Sequence, residues 1–423
     1  MAETVKIAVV GSGISGLVAA RELSEDHDVQ VFEAAPRLGG HTHTVDVITD
    51  GVMTAVDTGF IVFNERTYPN FVRILRELGV SWRDSEMSFS VSDCRTGLEY
   101  NGSSLGGLFS QRRNLLRPRF WLMVQDILRF YRQVKEVLDE QDPTLTLGQY
   151  LARERFGTEF IEQHILPMGA AVWSMSPSGM LEFPAETFVR FFDHHGFLQI
   201  EGRPQWLVVE GGSRSYLEPM SRTFRDRIHL ETPVVSVRSL EHGVELRTLG
   251  GEAVRFDRVV LACHSDQALR LLTDANDRER EILGSIPYQE NQVTLHTDAR
   301  VMPKNRRAWA SWNVAVKGQQ DPRVRVTYWM NRLQGLESPT PYFVTLNSEE
   351  GISEGRILRR LSYHHPIFTL AGAAAQKRHH EIDGRRGVHF CGAYWGYGFH
   401  EDGVVSALEV ARSLRSVPRA VAQ

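Results

Sequence analysis

Residues 5–10, Val-Lys-Ile-Ala-Val-Val, make a short apolar run, long enough for a buried strand and too short for a buried helix. The period changes at Leu17-Val-Ala-Ala-Arg-Glu-Leu23, where the apolar residues take helical spacing. Val29-Gln-Val-Phe-Glu33 returns to strand and ends in an acid. Strand, helix and strand within thirty residues predict a β-α-β unit on a parallel sheet. The C-terminal pattern is a second such start: a strand over Val388–Gly392, a loop, and a helix beginning near Gly403. Between them, residues 111–135 read as a basic amphipathic helix, with Arg112, Arg113, Arg117, Arg119, Arg129, Arg132 and Lys135 set among Trp121, Leu122, Ile127, Leu128, Phe130 and Tyr131.

The first strand and helix are joined by Gly11-Ser12-Gly13-Ile14-Ser15-Gly16, and Glu33 stands 17 residues after the last glycine. A lone G-x-G-x-x-G is weak. Placed between a strand and a helix, with an acid at that distance, it is a dinucleotide signature. Gly11 permits the tight turn, Gly13 lets the backbone approach a pyrophosphate, and Gly16 lets helix and strand pack closely. The helix N-terminus offers free N–H groups and partial positive charge to the phosphates. Glu33 is placed to accept the adenosine ribose hydroxyls.

The residues just after Glu33 separate the nucleotide classes. Ala34-Ala-Pro-Arg37-Leu-Gly39-Gly40-His41-Thr42 and, further on, Val56-Asp57-Thr58-Gly59-Phe60 resemble the superfamily of flavin-containing amine oxidases and carotenoid desaturases. The resemblance implies FAD. It further implies that Arg37, Gly39, Gly40, His41, Thr42, Thr58, Gly59 and Phe60 border the cofactor, and that Thr232-Pro-Val-Val235 brackets the adenine. Ala262 and Cys263 are expected beneath the dinucleotide, with Gly392, Asp402, Gly403 and Val404 near the flavin. The helix start at Gly403 would favour the negative charge of a reduced flavin. Three departures matter. His41 stands where the family usually has Arg, Ala393-Tyr394 stand where it has an acid after the glycine, and Phe399 replaces the Tyr of the amine oxidases' substrate cage. The stretch Ile286–His296 also lacks the Lys that many amine oxidases carry on a substrate-domain strand.

Cofactor segments at both ends and in the middle imply an α/β protein with a discontinuous Rossmann-type FAD-binding domain and an inserted α+β substrate domain. The expected bounds are 1–62, 206–290 and 381–423 for the first, and 63–205 and 291–380 for the second. At 423 residues the chain is long for one core. The net charge of −4 gives no electrostatic reason to expect nucleic acid. No apolar run approaches a membrane span, and MAETVKIAVV running straight into a strand leads us to expect no signal peptide. Three scattered cysteines suit a reducing cytosol.

Other constellations weigh less. His194-His195, His364-His365 and His379-His380 stand in no metal-binding frame, so no metal is expected. Ser15 belongs to the dinucleotide turn, not to a nucleophile motif. The 111–135 helix either packs one face on the substrate domain or contacts an anionic membrane surface, which would place a cytoplasmic protein peripherally on the inner membrane face. His400, Glu401 and Tyr394 are the candidate proton-transfer residues, with His400 first because an ordinary imidazole titrates near neutral pH. Phe60, Phe63, Trp173, Met175, Phe183, Phe188, Phe191, Phe192, Phe197, Trp309, Trp312 and Trp329 suggest an apolar site, and with it a lipid-derived substrate. The Gly-Gly-His-Thr-His and Asp-Thr-Gly-Phe-Ile-Val-Phe-Asn segments are similar to a short branch associated with cyclopropane-fatty-acid-synthase-type methyltransferases. An unsaturated or methyl-branched acyl chain, dehydrogenated or isomerised, is the leading expectation. A true amine oxidase and a non-catalytic flavoprotein remain as alternatives.

Overall fold

The structure, a computed structural model, describes residues 4–140, 142–316, 324–348 and 351–416. The apolar run at the N-terminus becomes the strand Lys6–Val10, the centre of a five-stranded parallel sheet. Its neighbours are Asp28–Phe32 on one side and Arg258–Leu261 on the other, with Ile228–His229 and Val388–Phe390 at the edges. Central strands covered on both faces read as continuous apolar sequence, and Ile7, Ala8 and Val9 are fully buried. Helix Ile14–Leu23 packs on helix His400–Ser416, the two ends of the chain closing on one another.

The second large sheet has seven strands, in the order 357–366, 288–296, 343–346, 325–329, 312–316, 89–93 and 98–101. All its pairings are antiparallel except that of Phe89–Asp93 with Trp312–Val316. Helices between residues 118 and 194 cover it, sharing one core that includes Phe130, Phe160, Trp173, Phe188, Val293 and Val344. The helical stretch Thr158–Trp173 contains one wide π turn at Ile161–Ile165.

Helix Pro69–Glu77 lies within the segment assigned by sequence to the substrate domain, yet Phe71, Val72, Ile74 and Leu75 bury into the same core as Leu17 and Val404. This helix and strand Trp82–Ser85, which pairs with Trp206–Val209, thus pack with the nucleotide half, past the break expected at residue 63. The reason is that each of these side chains contributes about 1.5–3 kcal/mol on burial, and the apolar face available to them belongs to the nucleotide half. Strand Tyr288–His296 likewise runs through residue 290, where the sequence pattern suggested a boundary.

Each histidine pair is split by local geometry. His194 is exposed and His195 buried; His364 faces out and His365 inward, because neighbours on a strand alternate sides.

Candidate active site

The glycine turn is built as its spacing requires. Gly11 has φ +102°, and a Cβ on Gly16 would lie 1.9 Å from the Gly11 carbonyl oxygen. Around Gly13, by contrast, nothing lies within 4 Å of such a Cβ. One glycine is needed by the protein's own packing, and the other keeps a face of the backbone open. Helix His400–Ser416 arrives at the same place: a Cβ on Gly403 would meet Ser15 Oγ at 2.8 Å and Ile14 Cγ2 at 2.9 Å. Two helix N-terminal regions therefore converge beside the open face of Gly13, a setting that favours anionic groups.

Glu33 accepts from the Ser12 N–H at 2.9 Å and the Ser12 hydroxyl at 2.6 Å through Oε2, and from the Ala35 N–H at 2.8 Å through Oε1. Each carboxylate oxygen keeps further lone-pair capacity for a ribose. Thr232 N–H donates to the Glu33 carbonyl at 2.8 Å, which brings the 232–235 segment alongside; Val235 itself is 43% exposed, open to a ligand on that side. Ala262 and Cys263 sit under the turn, the Ala262 carbonyl oxygen 2.8 Å from where a Gly11 Cβ would stand. Burial pushes the Cys263 thiol up to about 12, so it stays protonated.

Arg37 does not stand free. Its guanidinium donates to the carbonyls of Leu38, Gly40 and Thr42, holding the Gly39-Gly40 loop in shape. His41 is half-buried; among the described residues its buried Nε2 has no protein partner, and its ring packs against Tyr363, His365 and His264. Burial and the neighbouring imidazoles keep His41 well below the ordinary histidine range, so it is neutral. Gly59 and Phe60 run antiparallel to His41, with Phe60 N–H donating to the His41 carbonyl at 2.8 Å. Thr58 Oγ1 and His43 Nδ1 share the Tyr363 hydroxyl, at 2.8 and 2.9 Å.

The three candidate proton-transfer residues take different positions. His400 stacks on Phe60 at 3.7 Å between centroids, and Nε2 hydrogen-bonds the Tyr216 hydroxyl at 2.7 Å. Tyr216 in turn bonds Thr42 Oγ1. Burial pulls His400 down to about 3, so it is a neutral imidazole across the physiological range, not the near-neutral titrating group its ordinary value suggests. Glu401 uses both carboxylate oxygens to cap helix Pro69–Glu77, accepting from the Asn70 N–H and side-chain amide and from the Phe71 N–H. Tyr394 is 3% exposed and its hydroxyl has no partner among the described residues; burial holds it well above the ordinary tyrosine range.

Several residues near this centre carry no signal in the sequence. Tyr216, Tyr363 and His365 lie in no local motif, and only His264, adjoining Cys263, had a positional hint. Gln376 pins the loop before the last helix by donating to the carbonyls of Tyr394 and Gly396, each at 2.7 Å. Asp402 closes the same loop from within: it accepts from the Phe399 N–H at 2.8 Å, and burial raises its carboxyl to about 7.

Of the twelve large apolar residues expected to line one site, the fold gathers only some. Trp173, Phe183, Phe188, Phe191, Phe192 and Phe197 form one aromatic cluster, joined by Phe368, Tyr397 and Phe399. Met175 is buried in the same core. Phe60 and Phe63 belong to the nucleotide half. Trp309 and Trp329 pack edge to face at 5.3 Å in a separate group, with Trp312 against Tyr328. Next to the aromatic cluster opens a cavity of about 260 Å³, whose wall includes Tyr68, His195, Tyr397, Phe399 and Asp402.

These residues fit an FAD: an open glycine face at two helix N-terminal regions, an acid beside it with spare lone pairs, and a buried histidine nitrogen without a protein partner among the described residues. The family profile of flavin containing amine oxidoreductases matches residues 14–345, well over half of the chain. The protein belongs to that family of flavin-dependent oxidoreductases. The protein named flavin-containing monoamine oxidase AofH, of Mycobacterium tuberculosis, is 26% identical over 267 residues, 59% of this chain and 55% of its own. The chain thus spans about half the length of that curated relative. Among solved structures, a putrescine oxidase triple mutant superposes with a TM-score of 0.71 at 17% identity, covering 98% of this chain and 99% of that one. A CLA-producing fatty acid isomerase from P. acnes superposes at 0.68 and 14% identity, covering 97% and 99%. These likenesses establish the fold.

Proposed function

We propose that this chain is an FAD-dependent oxidoreductase that dehydrogenates or isomerises an apolar substrate, an unsaturated or methyl-branched fatty acyl chain. The observation that carries this reading is the aromatic cluster from Trp173 to Phe399, which borders a cavity walled by Tyr68, His195, Tyr397 and Phe399, with Arg66, Glu401 and Asp402 also in its wall. Phe399, His195 and His400 offer no charge to a protonated amine, since burial takes both imidazoles down to about 3. Such a wall suits an alkyl chain. A fatty acid isomerase with this fold and the segments similar to cyclopropane-synthase-associated proteins support the same reading.

The chain's own part is to bind, orient and exclude water. Gly11–Gly16, Glu33–Ala34, Gly39–Thr42, Thr58–Phe60, Val235, Ala262–Cys263, Gly392 and Asp402–Val404 would hold the cofactor. Bound FAD supplies the hydride acceptor. In this reading His400 and Tyr394 are the groups for proton movement: His400 as a neutral imidazole joined to Tyr216 and Thr42, Tyr394 as a buried donor with a free hydroxyl. Glu401 positions His400 by tying the last helix to helix Pro69–Glu77. The two-domain division expected from the sequence, with its first break moved past residue 85, and a cytoplasmic location, peripheral at the inner membrane face through residues 111–135, belong to the same proposal. Among the described residues no helix is long and apolar enough to cross a membrane.

The test is anaerobic mixing of the yellow protein with unsaturated and branched acyl chains of several lengths. Flavin bleaching, or a shift or gain of double bonds in the recovered lipid, is expected. Silence across the panel would remove the acyl substrate and leave FAD binding intact. The amine-oxidase alternative has support from AofH and putrescine oxidase, and from Asp402 in the cavity wall. Peroxide release from simple amines above about 1 s⁻¹, an ordinary though low enzyme rate, would favour it.

A further inference from the structure

The basic amphipathic segment is not one continuous surface. Along helix Pro118–Gln133, Phe120, Met123 and Phe130 are buried, so one face of the helix packs into the core. Two charges towards its C-terminal side are engaged as well: Arg129 pairs with Asp126 at 2.9 Å, and Lys135, just past the helix, with Asp193 at 2.6 Å. The N-terminal end is different. Pro118 starts the helix and holds Arg117 extended, so the preceding turn, Arg112–Leu116, leaves the helix axis and projects as a tip. On this tip Leu116 is 87% exposed, Leu122 56%, Leu115 48% and Trp121 47%. The Trp121 indole N–H donates to the Leu115 carbonyl at 3.0 Å, which fixes the two apolar arms together.

Along the tip's own sequence the charge has one sign, while Asp126, Glu154 and Glu159 share a cavity wall with Leu122. Residues 111–122 hold Arg112, Arg113, Arg117 and Arg119 and no acid, within a chain of net charge −4. Arg113 reaches only a backbone carbonyl, that of Gly97, and among the described residues Arg112 and Arg117 make no ion pair. Arg119 lies 3.5 Å from Glu159 with its side chain still 85% exposed. Exposed apolar groups are not by themselves informative. The hairpin turn at Asp50-Gly51 also exposes Ile48 and Met53, at 73% and 67%, but it carries Asp46 and Asp50 and offers no positive ring. The 112–122 tip joins four large exposed apolar side chains to Arg112, Arg113 and Arg117, for which no ion pair is found among the described residues.

We infer that residues 112–122 are a membrane-docking tip, with Leu115, Leu116, Trp121 and Leu122 entering the headgroup–acyl boundary and Arg112, Arg113 and Arg117 meeting anionic headgroups. Arginine and tryptophan suit that boundary, one by its charge, the other by its amphipathic ring. This deepens the peripheral-membrane part of the proposed function and is independent of which substrate is turned over.

The test uses FAD-loaded full-length protein and flotation with vesicles of phosphatidylcholine alone or with phosphatidylglycerol. Binding is expected only to the anionic vesicles and should fall as salt rises. Arg112→Gln/Arg113→Gln/Arg117→Gln should weaken it about tenfold or more and flatten the salt dependence. Leu116→Ser/Trp121→Ser should weaken it at unchanged charge. All five positions are at the surface, so flavin content and melting temperature should stay at wild-type values. Wild-type protein that binds neither vesicle, or binds both equally, would overturn the inference, as would variants that float like wild type. A concentration-dependent dimer lost in the Leu116→Ser/Trp121→Ser variant, with no vesicle binding, would assign the tip to a second copy of the chain instead. Acyl turnover in detergent with no vesicle binding would overturn docking alone; vesicle binding without turnover would overturn only the substrate.

Discussion

At the nucleotide end one added methyl, on Gly16, would sit 1.9 Å from a carbonyl oxygen. At the substrate end the rings of Trp173, Phe183, Phe191 and Phe399 lie 4–6 Å apart and fill their space with bulk. The first region works because side chains are missing; the second works because they are large. A missing side chain leaves backbone N–H groups free to meet a fixed, charged ligand, and that requirement is narrow. Bulk can be arranged in many ways, so the same fold can offer different apolar interiors to different substrates.

The largest expected effect lies at the glycines. Gly16→Ala should give no soluble flavin-loaded protein, because the clash is with backbone that cannot move aside. Gly13→Ala should fold, with wild-type far-ultraviolet circular dichroism, and yet lose FAD affinity at least tenfold. If both variants behave alike, the distinction between a packing glycine and a ligand-facing glycine fails.

Next comes Trp173→Ala in the aromatic cluster, expected to lose about 3–5 kcal/mol in a denaturant titration, the usual range for a buried aromatic truncated to alanine. FAD content under native conditions should be retained. Loss of flavin together with stability would mean that the two ends are one cooperative unit.

Glu33→Ala should weaken FAD retention by about tenfold or more, since charge-assisted hydrogen bonds are lost. Part of that loss comes through the protein, because Glu33 also holds Ser12 and Ala35. Glu33→Gln keeps an acceptor and should fall between wild type and alanine in a cofactor titration.

The smallest effect is a pH dependence. Asp402 is raised to about 7 by burial, so between its unfolded value near 4 and pH 7 the folded state holds more protons than the unfolded one. Its contribution to stability therefore falls as pH rises through that window. The melting temperature of Asp402→Asn relative to wild type should climb by a few degrees from pH 5 to pH 7 and then level off. The buried histidines act in the opposite sense. His264 and His365, both lowered to about 4, cost stability as pH falls below 6.5. A flat difference curve would show that Asp402 titrates normally.

The glycine turn, the ribose acid and the diglycine loop were legible in the sequence because each is a local requirement. A turn, a close approach and a helix start are all set within about thirty residues, and the chemistry needs particular residue types at fixed spacing. The roles of the C-terminal residues were not legible in that way. Glu401 stands three residues from Gly398 and looks poised for catalysis, yet its carboxylate is taken by Asn70 and Phe71, more than 300 residues away along the chain. His400 has an ordinary histidine's promise in the sequence, but Phe60 and Tyr216 close around it and make it a neutral group. The twelve aromatic and apolar candidates could be named but not sorted, since which rings meet depends on tertiary packing that brings Trp173 and Phe368 together and carries Trp309 elsewhere. Sequence alone determined the nucleotide class of this protein, because the backbone itself is the ligand-binding group there. Tertiary structure decided what every side chain beyond it can do, because burial and distant partners set charge, protonation and access.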